Sequence, residues 1–258
     1  GAAMGKIIAV ANQKGGVGKT TTAVNLTAAL GARGYRVLLV DVDPQGNSTS
    51  GLGVNKRDLR QSTYELLLSS LLPEQVLRHT EFKNVDLLPS NIALAGAEIE
   101  LVELENRATR LKAALLRIRE QYDFILIDCP PSLGIITINA LTACDTVLIP
   151  IQCEYYALEG LSQLMITLRQ VKRLYNPRIE IEGVVLTMYD GRLNLTTQVV
   201  EELKRVLPQK IYRTVIPRNV RLSEAPSYGQ PVLYYDRGSR GSQAYEELAE
   251  EFLQRNRR

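Results

Sequence analysis

The chain has 258 residues, 45% of them hydrophobic, with no Trp, three cysteines and a formal net charge of +3. That length fits one large α/β domain or two small ones, with a core built mainly from aliphatic side chains. Cys129, Cys144 and Cys153 form no C-x-x-C pair, which argues against a zinc ribbon, and no apolar run approaches the ~18 residues of a membrane-spanning helix. No secretory segment points to an oxidising compartment, and the opening GAA before Met4 (residues 1–3) reads as a remnant of cloning. The charge is uneven. Residues 1–168 hold 15 Lys and Arg against 17 Asp and Glu, whereas residues 169–240 hold 13 against 7. That basic stretch is either a solvated surface or a polyanion-binding face.

The first predicted strand, KIIAVA (6–11), leads into NQKGGVGKTT (12–21) and then a helix over TTTAVNLTAALGARG (20–34). Strand, glycine-rich loop and helix start are the context of a phosphate-binding loop, G-x-x-x-x-G-K-[ST]. Gly15, Gly16 and Gly18, with Val17 between them, let backbone N–H groups turn toward an anion, and the helix N-terminus adds its dipole. Lys19 is placed for β- and γ-phosphates, Thr20 for Mg2+, and Thr21 as a further donor. The match is imperfect: Gln13 stands where the pattern has glycine, and Lys14 is an extra lysine.

The next strand, RVLLVD, runs into DVDPQGN, so Asp41 and Asp43 point the same way if the strand continues through them. Pro44 and Gly46 then break it. Asp43 is assigned to orienting the water that attacks the γ-phosphate, and Asp41 to supporting Mg2+ through water, since phosphoryl transfer depends on positioning more than on a strong base. After VDLLP, a strand, a long helix is expected over EIELVELENRATRLKAALLRIREQ (98–121). DFILID then ends in Asp128, a Walker B-like carboxylate at the carboxyl end of a strand, assigned to Mg2+. His79, the only histidine, is far from every motif and reads as a surface residue.

The remaining strands are DTVLIPI, IEGVVLT and KIYRTVI, alternating with helices over YALEGLSQLMITLRQVKRLY, LTTQVVEELKRVL and SQAYEELAEEFLQRNRR. Strands that are apolar throughout are buried on both faces, as in a parallel sheet. The expected fold is therefore α/β and doubly wound, a mostly parallel sheet with helices on both faces, in a single domain over 5–258.

KGGVGKTT, DVDPQGN, DCPPSLG, IQCEYYALEGLSQL and IPRNVRLSEAPSYG together resemble the ParA family of partition ATPases, in its chromosomal Soj branch. The resemblance spans residues 5–253 and implies a P-loop NTPase of the deviant Walker A type that uses ATP and Mg2+. It makes Lys14 a residue acting across an ATP-dependent homodimer, on the phosphates held by the partner. Two nucleotides packed face to face repel strongly, and a lysine from each side offsets part of that charge. The resemblance also places Pro217 and Asn219 beside the adenine. Arg192 and Arg221 match arginines that bind double-stranded DNA without sequence preference, and Arg218 and Arg237 are further candidates for that face. The implied partner is a ParB-type protein that stimulates a slow ATPase, and the implied location is cytoplasmic and nucleoid-associated.

Two other readings compete. A membrane-surface ATPase needs a terminal amphipathic anchor, and EEFLQRNRR offers little apolar face for one. A cluster-carrying ATPase needs paired cysteines, and Cys129 in DCPPS has no matching partner. No membrane association is expected.

Overall fold

Alternate residues of the central strands enter different cores. Ile7, Ala9, Leu38, Val40, Ile125 and Ile127 pack into one, and Ile8, Val10, Val37, Leu39, Phe124 and Leu126 into the other. A strand with both faces apolar is stable only between two layers, and each such side chain contributes about 1.5–3 kcal/mol on burial. The structure, a computed structural model, describes residues 5–12, 17–69 and 71–257. The strands are β1 (Lys6–Val10), β2 (Val37–Asp41), β3 (Arg78–His79), β4 (Val85–Leu88), β5 (Phe124–Asp128), β6 (Thr146–Gln152), β7 (Glu180–Tyr189) and β8 (Ile211–Pro217). They form one sheet in the order β3-β4-β2-β5-β1-β6-β7-β8, parallel except for the β3–β4 pair.

The helices are α1 (Val17–Ala32), α2 (Asn47–Gly51), α3 (Thr63–Leu68), α4 (Pro73–Val76), α5 (Leu94–Glu100), α6 (Arg110–Leu116), α7 (Ile135–Ala143), α8 (Ala157–Leu174), α9 (Asn194–Val206), α10 (Val220–Glu224), α11 (Val232–Tyr235) and α12 (Arg240–Arg255). Helices α1 and α12 supply Leu26, Leu30, Leu248 and Phe252 to one face of the sheet, while α6 to α9 supply Leu111, Ile136, Leu164 and Leu203 to the other. The doubly wound, mostly parallel sheet expected from the sequence is present.

The expected helix over 98–121 is not continuous. It ends at Glu100, passes through a 3-10 turn at Leu101–Glu103, and resumes only at Arg110. Asn106 has φ 56°, a left-handed conformation that no α-helix accommodates. Asn139 of α7 fills the break. Its Nδ2 donates to the Arg107 carbonyl at 2.7 Å, and its Oδ1 accepts from the Leu111 N–H at 3.2 Å. The interruption lets Leu101 and Leu111 both become fully buried. The short β3, too brief to carry a period, lies at the sheet edge. There His79 is exposed and its Nδ1 lies 2.7 Å from Asp86 Oδ1, in keeping with a surface residue.

Register fixes what meets at the carboxyl ends. Val10 pairs with Asp128, and Asp128 pairs with Asp41, so β1, β5 and β2 end level with one another. From β1 the chain crosses to β2 on one side, and after β5 it crosses to β6 on the other side of β1. The reversal opens a crevice beyond the strand ends at β1, where open α/β sheets place ligands.

Candidate functional site

Helix α1 starts directly over that crevice. Gly18, in its first turn, lies against β7, and a Cβ there would come within 2.5 Å of Thr187 Oγ1, so the close approach requires glycine. Lys19 is 5% exposed, and its Nζ makes a salt bridge to Asp128 Oδ1 and lies 3.8 Å from Asp43 Oδ2. Burial opposes the Lys19 charge, but the Asp128 carboxylate outweighs it and the pKa is raised. Thr20 Oγ1 donates to Asp128 Oδ2 at 3.0 Å. Lys19, Thr20, Asp43 and Asp128, chosen from separate parts of the sequence, are thus brought together. Thr21 joins them, lining a cleft of about 660 Å3 with Lys19, Thr20, Asp43 and Gln45. Lys14, Gly15 and Gly16 lie outside the described residues, and Val17 opens α1.

β2 ends at Asp41, so Asp41 and Asp43 are not successive same-face strand residues. The chain instead curls back, and the Asp43 N–H donates to Asp41 Oδ1 at 3.1 Å. Asp41 is fully buried, and its Oδ2 accepts from the Thr49 N–H at 2.9 Å and the Thr49 hydroxyl at 2.8 Å. Burial and the neighbouring Asp128 push the Asp41 carboxyl up to about 7. Asp43 keeps 5% exposure and faces the cleft, its Oδ1 accepting from the Gln45 N–H at 3.0 Å. Burial raises its pKa against the pull of that amide and of Lys19.

The oxygens gathered here are hard donors of the kind Mg2+ takes, a hydroxyl (Thr20) beside a carboxylate (Asp128). Among the described residues no group of three or more His, Cys, Asp or Glu is placed to hold a metal.

Beside α1, a second cleft of about 250 Å3 is lined by Gly18, Thr21, Pro217, Asn219 and Leu222. It adjoins the Lys19 cleft through Thr21, which lines both. Asn219 caps α10, its Oδ1 accepting from the Arg221 N–H at 3.1 Å.

The four arginine candidates are all exposed but do not form one cluster. Arg192 and Arg218 line a groove with Arg240, a residue sequence reasoning missed although it lies in the basic stretch. Arg192 makes a two-pronged pair with Asp190, both bonds 3.0 Å. Arg221 sits on α10 and pairs with Glu224 at 2.8 Å and Asp236 at 3.1 Å. Arg237 lies between α11 and α12. Also missed were Ser48 and Thr49, which hold the Asp128 and Asp41 carboxylates, and Ser90, which holds the Asp43 backbone carbonyl. Ser48 Oγ donates to Asp128 Oδ2 at 2.6 Å, and Ser90 Oγ to the Asp43 carbonyl at 2.5 Å. The hydroxyl-rich NSTS after DPQG was the only signal for Ser48 and Thr49.

Cys129 and Cys144 are buried, and burial pushes the Cys129 thiol up to about 12, so neither is a ready thiolate ligand. Helix α12 spends its apolar face, Leu248 and Phe252, on the core, and among the described residues no helix is long and apolar enough to cross a membrane.

A family model described as AAA domain matches residues 5–181. The sporulation initiation inhibitor protein Soj of Bacillus subtilis is 59% identical over 96% of this chain and 98% of its own length. The chromosome partitioning protein ParA of Myxococcus xanthus is 50% identical over 99% of this chain and 90% of its own. Among solved structures, cobyrinic acid a,c-diamide synthase from Mycobacterium smegmatis, with bound ADP and magnesium, superposes with a TM-score of 0.85. It is 39% identical, and the match covers 97% of this chain and 95% of that one. With a P-loop context, level carboxylates and full-length likeness to these proteins, the chain belongs to the ParA/Soj family of chromosome-partitioning ATPases.

Proposed function

We propose that this chain is a chromosome- or plasmid-partitioning ATPase whose ATP-bound sandwich dimer binds double-stranded DNA without sequence preference and lets go on hydrolysis, which a ParB-type partner stimulates. The observation that carries the reading is the convergence of Lys19, Thr20, Asp43 and Asp128 at the start of α1, beside a cleft walled by Pro217 and Asn219. The adenine occupies that cleft, against Pro217 and the Asn219 amide. The triphosphate runs along the first turn of α1, where the helix N-terminus and Lys19 favour anionic oxygens. Lys19 exchanges its carboxylate partners for the β- and γ-phosphates.

Thr20 would hold Mg2+, with Asp128 supporting it directly or through water and Asp41 through water. Mg2+, when bound, neutralises charge that develops on the transferred phosphoryl group. Asp43, with one oxygen fixed by the Gln45 amide, orients the attacking water. Lys14 reaches the partner's phosphates, so a dimer forms only when nucleotide is present.

Dimerisation then joins the basic surfaces of two chains. Arg192, Arg218, Arg221 and Arg237 take DNA phosphates, and nucleoid association follows. The test is DNA binding measured with ADP, with ATP and with a slowly hydrolysed analogue. Binding is expected to be tight with the analogue, transient with ATP and weak with ADP. Equal binding in all three states would end the reading of a nucleotide-timed switch.

A further inference from the structure

Asp41 and Asp128 stand on adjacent strands at the same register, both fully buried. Two carboxylates so placed repel, and each turns away from the other unless donors fix it. The donors come from consecutive residues of α2. Thr49 grips Asp41 with its N–H and its hydroxyl, at 2.9 and 2.8 Å. Ser48 donates to Asp128 Oδ2 at 2.6 Å. Both hydroxyl residues are fully buried, and α2 is itself anchored, since the Ser90 N–H donates to Thr49 Oγ1 at 3.0 Å.

Among the described residues the side-chain partners of Asp128 are Lys19, Thr20 and Ser48. On the reading above, Lys19 and Thr20 are drawn to phosphate and metal when nucleotide binds. Only Ser48 has no such claim on it. We infer that Ser48 is a positioning residue of the magnesium–nucleotide site, its hydroxyl holding Oδ2 of Asp128 so that the carboxylate keeps one orientation when its other two partners leave. The inference rests on the proposed nucleotide site but concerns a residue that no phosphate-binding motif specifies.

A partner that orients a metal-binding group from outside its shell typically changes metal affinity 10- to 100-fold. The experiment is a Mg2+ titration of fluorescent N-methylanthraniloyl-ADP binding to the full chain, for wild type, Ser48→Ala, Ser48→Thr and Ser48→Cys, with thermal melts of each. In Ser48→Ala the Mg2+ concentration for half-maximal effect should rise about tenfold or more, while binding in excess chelator stays within about twofold of wild type. Ser48→Thr, which keeps the hydroxyl, should restore the wild-type curve. Ser48→Cys keeps the volume but offers only a weak donor, so it should shift the curve as alanine does, and it covers the case in which alanine perturbs folding.

An unshifted Mg2+ curve in folded Ser48→Ala or Ser48→Cys would overturn the assignment and leave the nucleotide site standing. So would an equal shift in Ser48→Thr with an unchanged melt. A wild-type protein that does not bind the nucleotide would overturn the nucleotide site itself and this inference with it, and nucleotide binding with no Mg2+ dependence would overturn the metal assignment on which this inference rests.

Discussion

Lys19 is a buried cation held between two carboxylates, Asp128 and Asp43. Such a group is stable only while its charge is matched, and phosphate is the natural replacement for the carboxylates. Lys19→Ala should therefore weaken nucleotide binding by roughly tenfold to a hundredfold, the equivalent of a lost charge-assisted hydrogen bond. Calorimetry with ADP and with an ATP analogue checks it, and undiminished affinity would remove Lys19 from the phosphates. Asp43→Ala should bind nucleotide with little change but hydrolyse it about a hundredfold more slowly, because only the positioning of water is lost. Phosphate release under single-turnover conditions is the measurement, and a wild-type rate would exclude the role. Lys19, Thr20 and Asp128 were legible in the sequence because a loop of set length, a helix start and an apolar strand ending in Asp fix their spacing. Ser48 and Thr49 were not, because a hydroxyl in a short NSTS run finds its acceptor only when two distant strands close beside it. The direction of Asp43 relative to Asp41 hinged on whether the strand continued, and β2 ends at Asp41. The alternation argument assumes an extended chain, and the chain curls after Asp41, the Asp43 N–H turning back to the Asp41 carboxylate.

At the scale of elements, the parallel strands were readable because each is apolar on both faces over several residues. The long helix was overread because its apolar spacing continues past Asn106, where only the positive φ and the fit of Asn139 mark the break. Short helices such as α2 and α10 span little more than one turn and leave no period to detect. The sheet's far edge offers a test of how elements are tied together. Among the described residues β8 has no strand beyond it, and Glu251 of α12 accepts from the N–H groups of Arg213 and Thr214 at 2.9 and 2.8 Å. Those bonds cover part of an otherwise open edge. Burial alone would push the Glu251 carboxyl up, but the two amides, Thr214 Oγ1 and Arg255 outweigh it and hold the pKa below the ordinary value of 4.5. Because the folded pKa is the lower one, this stabilisation is complete above the unfolded value and is lost as pH falls through the folded one. Glu251→Gln should cost about 1–3 kcal/mol at pH 7. The difference from wild type should narrow in acid, as urea unfolding at pH 7 and pH 3 would read. A constant difference across that range would assign the effect to packing rather than charge.

At the scale of the whole molecule, the cleft beside Lys19 draws its lining from as far apart as Lys19 and Gln230, whereas the arginine candidates all come from the basic stretch. The basic balance of residues 169–240 was legible from composition, but the grouping of Arg192, Arg218 and Arg240 around one groove depends on how α12 crosses β8 and so required the fold. Lys14, outside the described residues, bears on assembly. Lys14→Ala should leave binding of one nucleotide per monomer intact and abolish the ATP-dependent dimer. Size-exclusion with light scattering decides it, and a stable dimer in the variant would end the role across the interface.

The arginines give the last test, because phosphate and base contacts leave different signatures. Arg192 and Arg221 are exposed, and each is now paired with carboxylates, Arg192 with Asp190 and Arg221 with Glu224 and Asp236. Exposed pairs of this kind hold weakly and exchange readily for another anion. DNA phosphate is such an anion, densely spaced and surrounded by condensed counterions. Affinity for DNA should therefore fall steeply with salt, with a log–log slope near −0.9 per phosphate neutralised. Arg221→Ala should weaken binding to unrelated sequences about equally, since phosphate contacts carry no sequence information. In a two-fold dimer one contact is lost from each half, so the slope should flatten by about two. Nucleotide binding and dimerisation should survive, because the Arg221 side chain is engaged with Glu224 and Asp236 rather than with Lys19 or the phosphate cleft. The measurement is a salt titration of DNA affinity for wild type, Arg192→Ala and Arg221→Ala, each saturated with ATP analogue. Unchanged affinity and slope in either variant would take that arginine off the DNA surface. A loss confined to one DNA sequence would mean base readout, and nonspecific tethering would have to be given up.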